Sequence, residues 1–297
     1  MRILNFGSAN LDYVYQVPHF AAPGETISAR NQTINPGGKG LNQSIALARA
    51  GAKVFHGGCI GAGGESLGAL LSENSVDTRY LKSVDVLQGN AMIAVNDDGE
   101  NFIMLYGGSN QAITKAQVDE TLAGFEAGDF LVLQNEVNHL PYLVQQAYAK
   151  GLHIVLNPSP FEDSLRSLDY NKIAWLFVNE IEAEQITGRT KPEDVWSTLH
   201  EKYPHLSLVL TLGGAGAMCF TAQEQVQQPI FPTTPVDTTA AGDTFTGFFL
   251  AALTAGEPLR VCMQRAAMAS SIGVSRLGAS CSIPTADEVS AALALER

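Results

Sequence analysis

The chain has 297 residues, 45% hydrophobic and 16% charged, which suits one large α/β core and excludes a disordered chain. With 18 basic and 30 acidic residues its formal charge is −12, which excludes a surface built to hold nucleic acid or anionic lipid. An anionic small ligand remains compatible, because a local nest of backbone N–H groups binds phosphate inside an acidic protein.

In chain order, the N-terminus from Met1 to Gly7 runs straight into a strand pattern, with no charged leader, apolar stretch or cleavage site. No apolar run approaches the roughly 20 residues that span a bilayer. Cys59, Cys219, Cys262 and Cys281 are widely scattered, so buried free thiols are expected, and with them a cytoplasmic protein. Apolar runs at 3–8, 54–60, 130–133, 153–157, 173–178 and 206–212 predict strands. Helical patterns fall at 40–50, 65–74, 140–150, 180–187, 195–202, 244–255 and 259–275. The alternation predicts a parallel sheet covered on both faces, in a single domain spanning residues 1–297.

Residues 89–106 break that pattern, reading as two strands joined at Asp98-Gly99, a hairpin signal. Residues 12–17 and 26–33 read as further short extended pieces. Together, 12–33 and 88–107 are expected to form a small β lid. A face carrying Ile93, Val95, Ile103 and Leu105 would be sticky if bare, so a homodimer through the lid is expected.

Four segments carry chemistry. Asn35-Pro36-Gly37-Gly38-Lys39-Gly40-Leu41-Asn42-Gln43 opens a helix, where glycines admit a ligand to the backbone and unpaired N–H groups await it. It is neither a Walker A loop, since Gly40 follows Lys39, nor a dinucleotide fingerprint, since Gln43 stands where the third glycine belongs; a plain Gly-rich turn stays open. In Asp237-Thr238-Thr239-Ala240-Ala241-Gly242-Asp243, small residues precede an acid at the start of an apolar helix. Asp243 is there either a first-turn charge favoured by the helix dipole or a base beside N–H groups that stabilise a transferring phosphoryl group. Asn179-Glu180-Ile181-Glu182 fits a capping box, and equally a pair able to hold a Mg²⁺-bound water. Thr211-Leu212-Gly213-Gly214-Ala215-Gly216 is a strand ending in a flexible turn, suited to a nucleotide or to a hairpin.

In this order and company the segments resemble the ribokinase family of carbohydrate and nucleoside kinases, the phosphofructokinase B type, from Phe6 to Pro284. The first family motif is met by Gly37-Gly38-Lys39-Gly40-Leu41-Asn42 with Gly51 and Gly61 following, and the second by Asp237 to Asp243. Asn157-Pro158-Ser159-Pro160 and Asn179 to Glu182 look like internal landmarks between them. The resemblance implies a mostly parallel central sheet flanked by helices, with a β lid, and an ATP-dependent kinase of a sugar hydroxyl. It implies Asp243 as base beside an anion hole at Ala240, Ala241 and Gly242. Sugar contacts are implied at Asn10, Asp12, Gly38, Lys39, Asn42, Glu136 and Asp243. ATP is implied at Asn179, Thr211, Gly213, Gly216 and Gly242, with Mg²⁺ held through water by Glu182. A monovalent cation, K⁺, is implied at Asp237, Thr239, Gly273, Arg276, Gly278 and Ser282.

Ribokinase-like sugar contacts make the 5-hydroxyl of ribose the expected acceptor. Deoxyribose, fructose or a nucleoside is the alternative, ahead of a sugar-binding regulator without catalysis or a nicotinamide enzyme. Three departures stand out: no acid between Gly61 and Gly64, Phe248 for a small residue, and Gln88, Asn90 and Met92 in the lid. If Asn90 or Met92 faces the pocket, the acceptor changes from ribose.

Overall fold

The computed structural model describes residues 1–296. The chain begins with β1 (Ile3–Phe6), β2 (Asn10–Gln16), β3 (Asn31–Gly37) and α1 (Lys39–Arg49). Next come β4 (Val54–Ala62), α2 (Glu65–Glu73), β5 (Asp77–Leu87) and the hairpin of β6 (Asn90–Val95) and β7 (Asn101–Tyr106). The middle runs through α3 (Lys115–Ala123), β8 (Phe130–Gln134), α4 (Leu140–Ala149), β9 (His153–Asn157), β10 (Trp175–Asn179) and α5 (Glu180–Thr187). It closes with α6 (Pro192–Lys202), β11 (Ser207–Thr211), β12 (Ala217–Phe220), β13 (Gln225–Gln228), α7 (Ala241–Thr254), α8 (Leu259–Val274) and α9 (Ala286–Leu295).

Nine strands form the large sheet in the order β13-β12-β11-β10-β9-β8-β1-β4-β5. From β5 to β11 neighbours pair parallel, and the β11–β12 and β12–β13 pairs are antiparallel, so β12 alone runs against the rest among the described residues. The central strands are mostly apolar because both faces are covered, and successive side chains enter opposite cores. In β8, Val132 enters the core under α1, α7 and α8 with Leu41, Phe245 and Met263. Leu131 and Leu133 enter the other, against α3, α4 and α6 with Val118, Leu143 and Val195. Phe249 on α7 is fully buried with its ring 5.4 Å from Trp175 and 5.3 Å from Phe177, so Phe249→Ala would cost about 3–5 kcal/mol. Helix α1 reaches α7 at Gly247, where a Cβ would come within 2.4 Å of the Ala46 Cβ.

A second sheet has the order β3-β2-β6-β7. Its hairpin turns where expected: Asn96 Oδ1 accepts from the Asp98 and Glu100 amides at 3.1 and 2.8 Å, and Gly99 takes φ 80°. Residues 26–30 are not strand; β3 begins at Asn31 and continues to Gly37, because β2 offers it partners as far as Asn10.

Other elements escape the sequence patterns. Strand β5 lies on the edge of the large sheet and is only half-buried, so Asp77, Arg79, Lys82 and Asp85 interrupt its apolar alternation. Helices α3 and α9 are short, but each has a side-chain cap, Thr114 and the Thr285–Glu288 capping box. The expectation of four buried thiols is corrected at Cys281, which is exposed on the turn after α8; Cys59, Cys219 and Cys262 are buried, and all four are free.

Candidate active site

Each of β1, β8, β9, β10 and β11 delivers a polar residue at or just beyond its carboxyl end: Ser8, Glu136, Asn157, Asn179 and Thr211. Ligands of open parallel sheets collect at this edge because helix N-termini and strand ends converge there. The N-terminus of α7 closes it. Ala240 adopts φ 60°, ψ 12°, a left-handed conformation that costs a non-glycine residue of order 1 kcal/mol. The turn places Gly242 and Asp243 ahead of the first helical bond, from the Thr244 amide to the Ala240 carbonyl at 2.8 Å. A Cβ on Gly242 would meet nothing within 4 Å, so this donor-rich end faces open space. The Ala241 amide, expected in the same anion hole, donates instead to the Thr238 carbonyl at 3.2 Å.

Two cavities meet at that helix end. The larger, about 470 Å³, is lined by Asn179, Thr211, Gly213, Gly216, Phe231 and Gly242 among others, which brings every expected nucleotide residue together. The smaller, about 220 Å³, is polar and carries Lys39, Asn157, Glu182, Ala240 and Asp243. Asn179, Thr211, Thr238, Ala241 and Gly242 border both. Thr211–Gly216 meets both of its sequence readings, since it turns the β11–β12 hairpin and lines the larger cavity.

Asp243 is 7% exposed and accepts from Asn42 Nδ2 at 3.2 Å and Gln43 Nε2 at 2.9 Å. Beyond it lie the other expected sugar residues. Glu136 accepts from the Lys39 amide at 2.9 Å and from the Ser8 hydroxyl. Gly38 takes φ 91°, and a Cβ there would press within 3.0 Å of the Asn10 amide, so only glycine lets the loop cross β2. Asn10 accepts from Asn110 Nδ2 at 2.6 Å.

The charges are balanced among themselves. Burial opposes the Lys39 ammonium, but Asp243, Glu136 and Glu182 outweigh it and raise its pKa. Burial raises the Glu136 carboxyl against the pull of Lys39 and its hydrogen bonds. Burial, and then the neighbouring Glu136, push Asp12 up to about 7.

Asn90 and Met92 do not face this site. Strand pairing sets Asp12 beside Ala91, while Leu11 and Tyr13 pair with Asn90 and Met92. Partners in register share a face, so Asn90 and Met92 lie opposite Asp12 and the condition for a changed acceptor is not met. Ala91 and Ile93 stand on the Asp12 face instead. Gln88 is buried beneath the small sheet, donating to the Ala9 carbonyl at 2.6 Å and accepting from the Gly61 amide at 2.9 Å. Phe248 is buried in the core shared by α1 and α7.

Asn179 and Glu182 form the capping box of α5, and Glu182 nevertheless borders the smaller cavity. Glu182 and Asp243 are the only carboxylates on that cavity among the described residues, and so sparse a set suits a water-bound Mg²⁺ better than a direct protein cage. Among the described residues, no group of three or more His, Cys, Asp or Glu side chains could hold a metal ion. Asp237 joins two loops: Oδ1 accepts from the Thr239 amide and hydroxyl at 2.9 and 2.6 Å, and Oδ2 from the Gly278 amide at 2.9 Å. Burial opposes these bonds, but they hold the Asp237 carboxyl below its ordinary pKa. Gly273 and Ser282 are neighbours, a Cβ on the glycine reaching within 3.9 Å of the Ser282 carbonyl. The oxygen-rich donor set fits a monovalent cation, although the Arg276 guanidinium is turned away to Glu288 at 2.5 Å.

Ser8 and Gln43, both bonded to expected site carboxylates, escaped the sequence motifs. Gln43 left a signal: Asn42, Gln43 and Ser44 are three consecutive polar residues inside a helix that is otherwise apolar along its buried length.

A parallel sheet with a nucleotide-sized cavity opening, at a helix N-terminus, onto a pocket of buried carboxylates is the architecture of a phosphotransferase with an alcohol acceptor. The profile of the pfkB family carbohydrate kinases matches residues 2–286, and the chain belongs to that family. It is similar to the ribokinase of Haemophilus influenzae, 35% identical over 95% of each chain. It is also similar to the deoxyribokinase of Salmonella typhi, 27% identical over 99% of each. Among solved structures it resembles the ribokinase of Cryptococcus neoformans in complex with ADP, with a TM-score of 0.87, 33% identity and coverage of 98% of this chain and 99% of that one.

Proposed function

We propose that the protein transfers the γ-phosphoryl group of ATP to the 5-hydroxyl of ribose. The observation that carries this reading is the junction of the two cavities at the Gly242–Asp243 turn. ATP lies in the larger, against Asn179, Thr211, Gly213 and Gly216, with its terminal phosphate at the N-terminus of α7. The Gly242 and Asp243 amides stabilise the charge that builds on the transferring group, and Asp243 takes the hydroxyl proton. Asp12 and Glu136 accept from sugar hydroxyls, Lys39 and Asn42 donate to the sugar, and Gly38 lets the backbone approach it. Ribose is favoured over deoxyribose by the greater identity to the ribokinase, 35% against 27% to the deoxyribokinase.

Mg²⁺ supplies charge neutralisation at the phosphates, and Glu182 is the residue that would hold it through water. K⁺ is assigned to the loops of Asp237, Thr239 and Ser282, with Gly273, Arg276 and Gly278 offering backbone oxygens. The small sheet is a lid over the sugar, and its exposed Phe102, Ile103, Met104, Leu105 and Tyr106, 51% to 54% accessible, pair with a second copy. The acidic charge and free thiols suit the cytoplasm, and no helix of the described residues is long and apolar enough to cross a membrane. A coupled ADP-release assay across ribose, deoxyribose, fructose and several nucleosides tests the reading. Ribose should give the highest kcat/KM; ATP turnover indifferent to every acceptor would leave only a sugar-binding protein.

A further inference from the structure

Gln43 belongs to none of the expected contacts, yet it is fully buried beside the base. Its Nε2 donates to Asp243 Oδ1 at 2.9 Å and to Asn157 Oδ1 at 3.2 Å. Its Oε1 accepts from Gln134 Nε2 at 2.7 Å, which also donates to Asn5 Oδ1 at 2.9 Å. Asn5 Nδ2 in turn donates to the Gly40 carbonyl at 2.7 Å and to Ser44 Oγ at 2.8 Å. Both ends of this chain are groups that only accept, an Asp243 carboxylate and a backbone carbonyl. Each amide between them therefore has one permitted orientation, and none can flip without facing acceptor to acceptor.

Asn42 is held differently. Its single bond to Asp243 Oδ2 is longer, at 3.2 Å, no side chain holds it from behind, and its own Oδ1, like Gln134 Oε1, is buried without a hydrogen-bond partner. A buried acceptor without a partner is costly, and a hydroxyl donor would recover that cost. One oxygen of the base is thus fixed and the other is exchangeable.

We propose that Gln43 is the positioning residue of the phosphoryl transfer, anchoring Asp243 Oδ1 so that Oδ2 alone receives the proton. The inference rests on the kinase reading above. When an alcohol acceptor arrives, the Asn42 amide turns to it and releases Oδ2. The acceptor O–H bond then breaks and its proton goes to Oδ2. Its oxygen bonds to the γ-phosphorus, and the bridging bond to ADP breaks with its electron pair on ADP. Gln43 keeps the carboxylate from rotating during this exchange. Besides Asp243, the charged groups facing the pocket are Lys39 on α1, Glu136 beyond β8 and Glu182 on α5, none of which Gln43 touches.

The test is Gln43→Met, which keeps the volume and removes the donor, with Gln134→Met as a second variant that frees the Gln43 amide from behind without touching the base. Both are compared with the whole wild-type protein in ADP release with ribose, after thermal melting establishes that they fold. Gln43→Met should lower kcat by roughly 10- to 100-fold while the KM values for ribose and ATP stay within about threefold. Gln134→Met should move kcat the same way by a smaller factor. A folded Gln43→Met protein with unchanged kcat, or with KM rising in step with the loss of kcat, overturns the positioning role. Should Gln43→Met fail to fold, an unchanged kcat in Gln134→Met overturns it. A wild-type protein inert towards every acceptor overturns the kinase reading itself, and the two failures are therefore distinct.

Discussion

Asp12 offers a prediction that joins stability to binding. Its carboxyl titrates at about 7 in the folded chain against 3.8 for an ordinary aspartate, burial being the main cause and Glu136 the second. The sign follows from proton counting. Between these values the unfolded chain holds fewer protons than the folded one. The stability that protonated Asp12 contributes is therefore complete below pH 3.8 and is lost as pH rises through 7. At about 1.4 kcal/mol per pKa unit the loss is bounded at roughly 4 kcal/mol, and the water that still reaches Asp12 reduces this to about 1–2 kcal/mol. Asp12→Asn removes the titration, and roughly two thirds of that loss falls above pH 5, so urea denaturation of the ligand-free proteins should show the variant gaining on wild type by about 1 kcal/mol between pH 5 and pH 8. Glu136 is present in both proteins and largely cancels. Sugar should reverse the balance, because hydroxyl donors favour the carboxylate. Ribose KM of the wild type should fall as pH rises through 7, and that of Asp12→Asn should be higher and less sensitive to pH. A stability difference that is flat from pH 5 to pH 8, together with a pH-independent wild-type KM, would refute the reasoning.

Other consequences follow from the same geometry. Glu182→Gln keeps an acceptor for the Asn179 amide but removes the charge, so the Mg²⁺ concentration for half-maximal rate should rise about tenfold with the melting temperature nearly unchanged. A large drop in melting temperature would reduce Glu182 to a cap. Asn90→Ala should leave the ratio of ribose to deoxyribose turnover within about twofold, since strand register turns Asn90 from Asp12, whereas Ile93→Ala should change it more. Equal effects from the two would contradict the assignment of faces. Ile103→Asp places a charge on an exposed apolar strand and should yield a monomer in analytical ultracentrifugation; an unchanged mass would remove the small sheet as the contact.

The sheet was legible because parallel strands buried on both faces leave continuous apolar runs, as at 130–133 and 153–157, that need no context to recognise. The candidate site was legible where backbone geometry demands glycine, as at Gly38 with its φ of 91°. Register was not legible. Whether Asn90 or Ala91 looks at the sugar depends on one residue of pairing with β2, a tertiary choice that composition does not encode. Strand β5 was hidden by its edge position, and β12–β13 by shortness and a polar hairpin end. Gln43 was hidden by its neighbours. Beside Lys39 and Asn42 it reads as one more polar helix residue, and its role depends on Gln134 and Asp243, which lie 91 and 200 residues away in sequence.

On the proposed function, the carboxylate at the cavity junction drives phosphoryl transfer to a ribose hydroxyl. Phosphorus NMR of the wild type and Asp243→Asn, each incubated with ribose and Mg²⁺-ATP, tests it most directly when paired with calorimetry of ribose binding. The wild type should form a phosphomonoester on the ribose 5-oxygen. The variant should do so about 10²- to 10⁴-fold more slowly, with ribose affinity nearly retained. A phosphate ester formed at the same rate by both proteins, or none formed by the wild type, would contradict it.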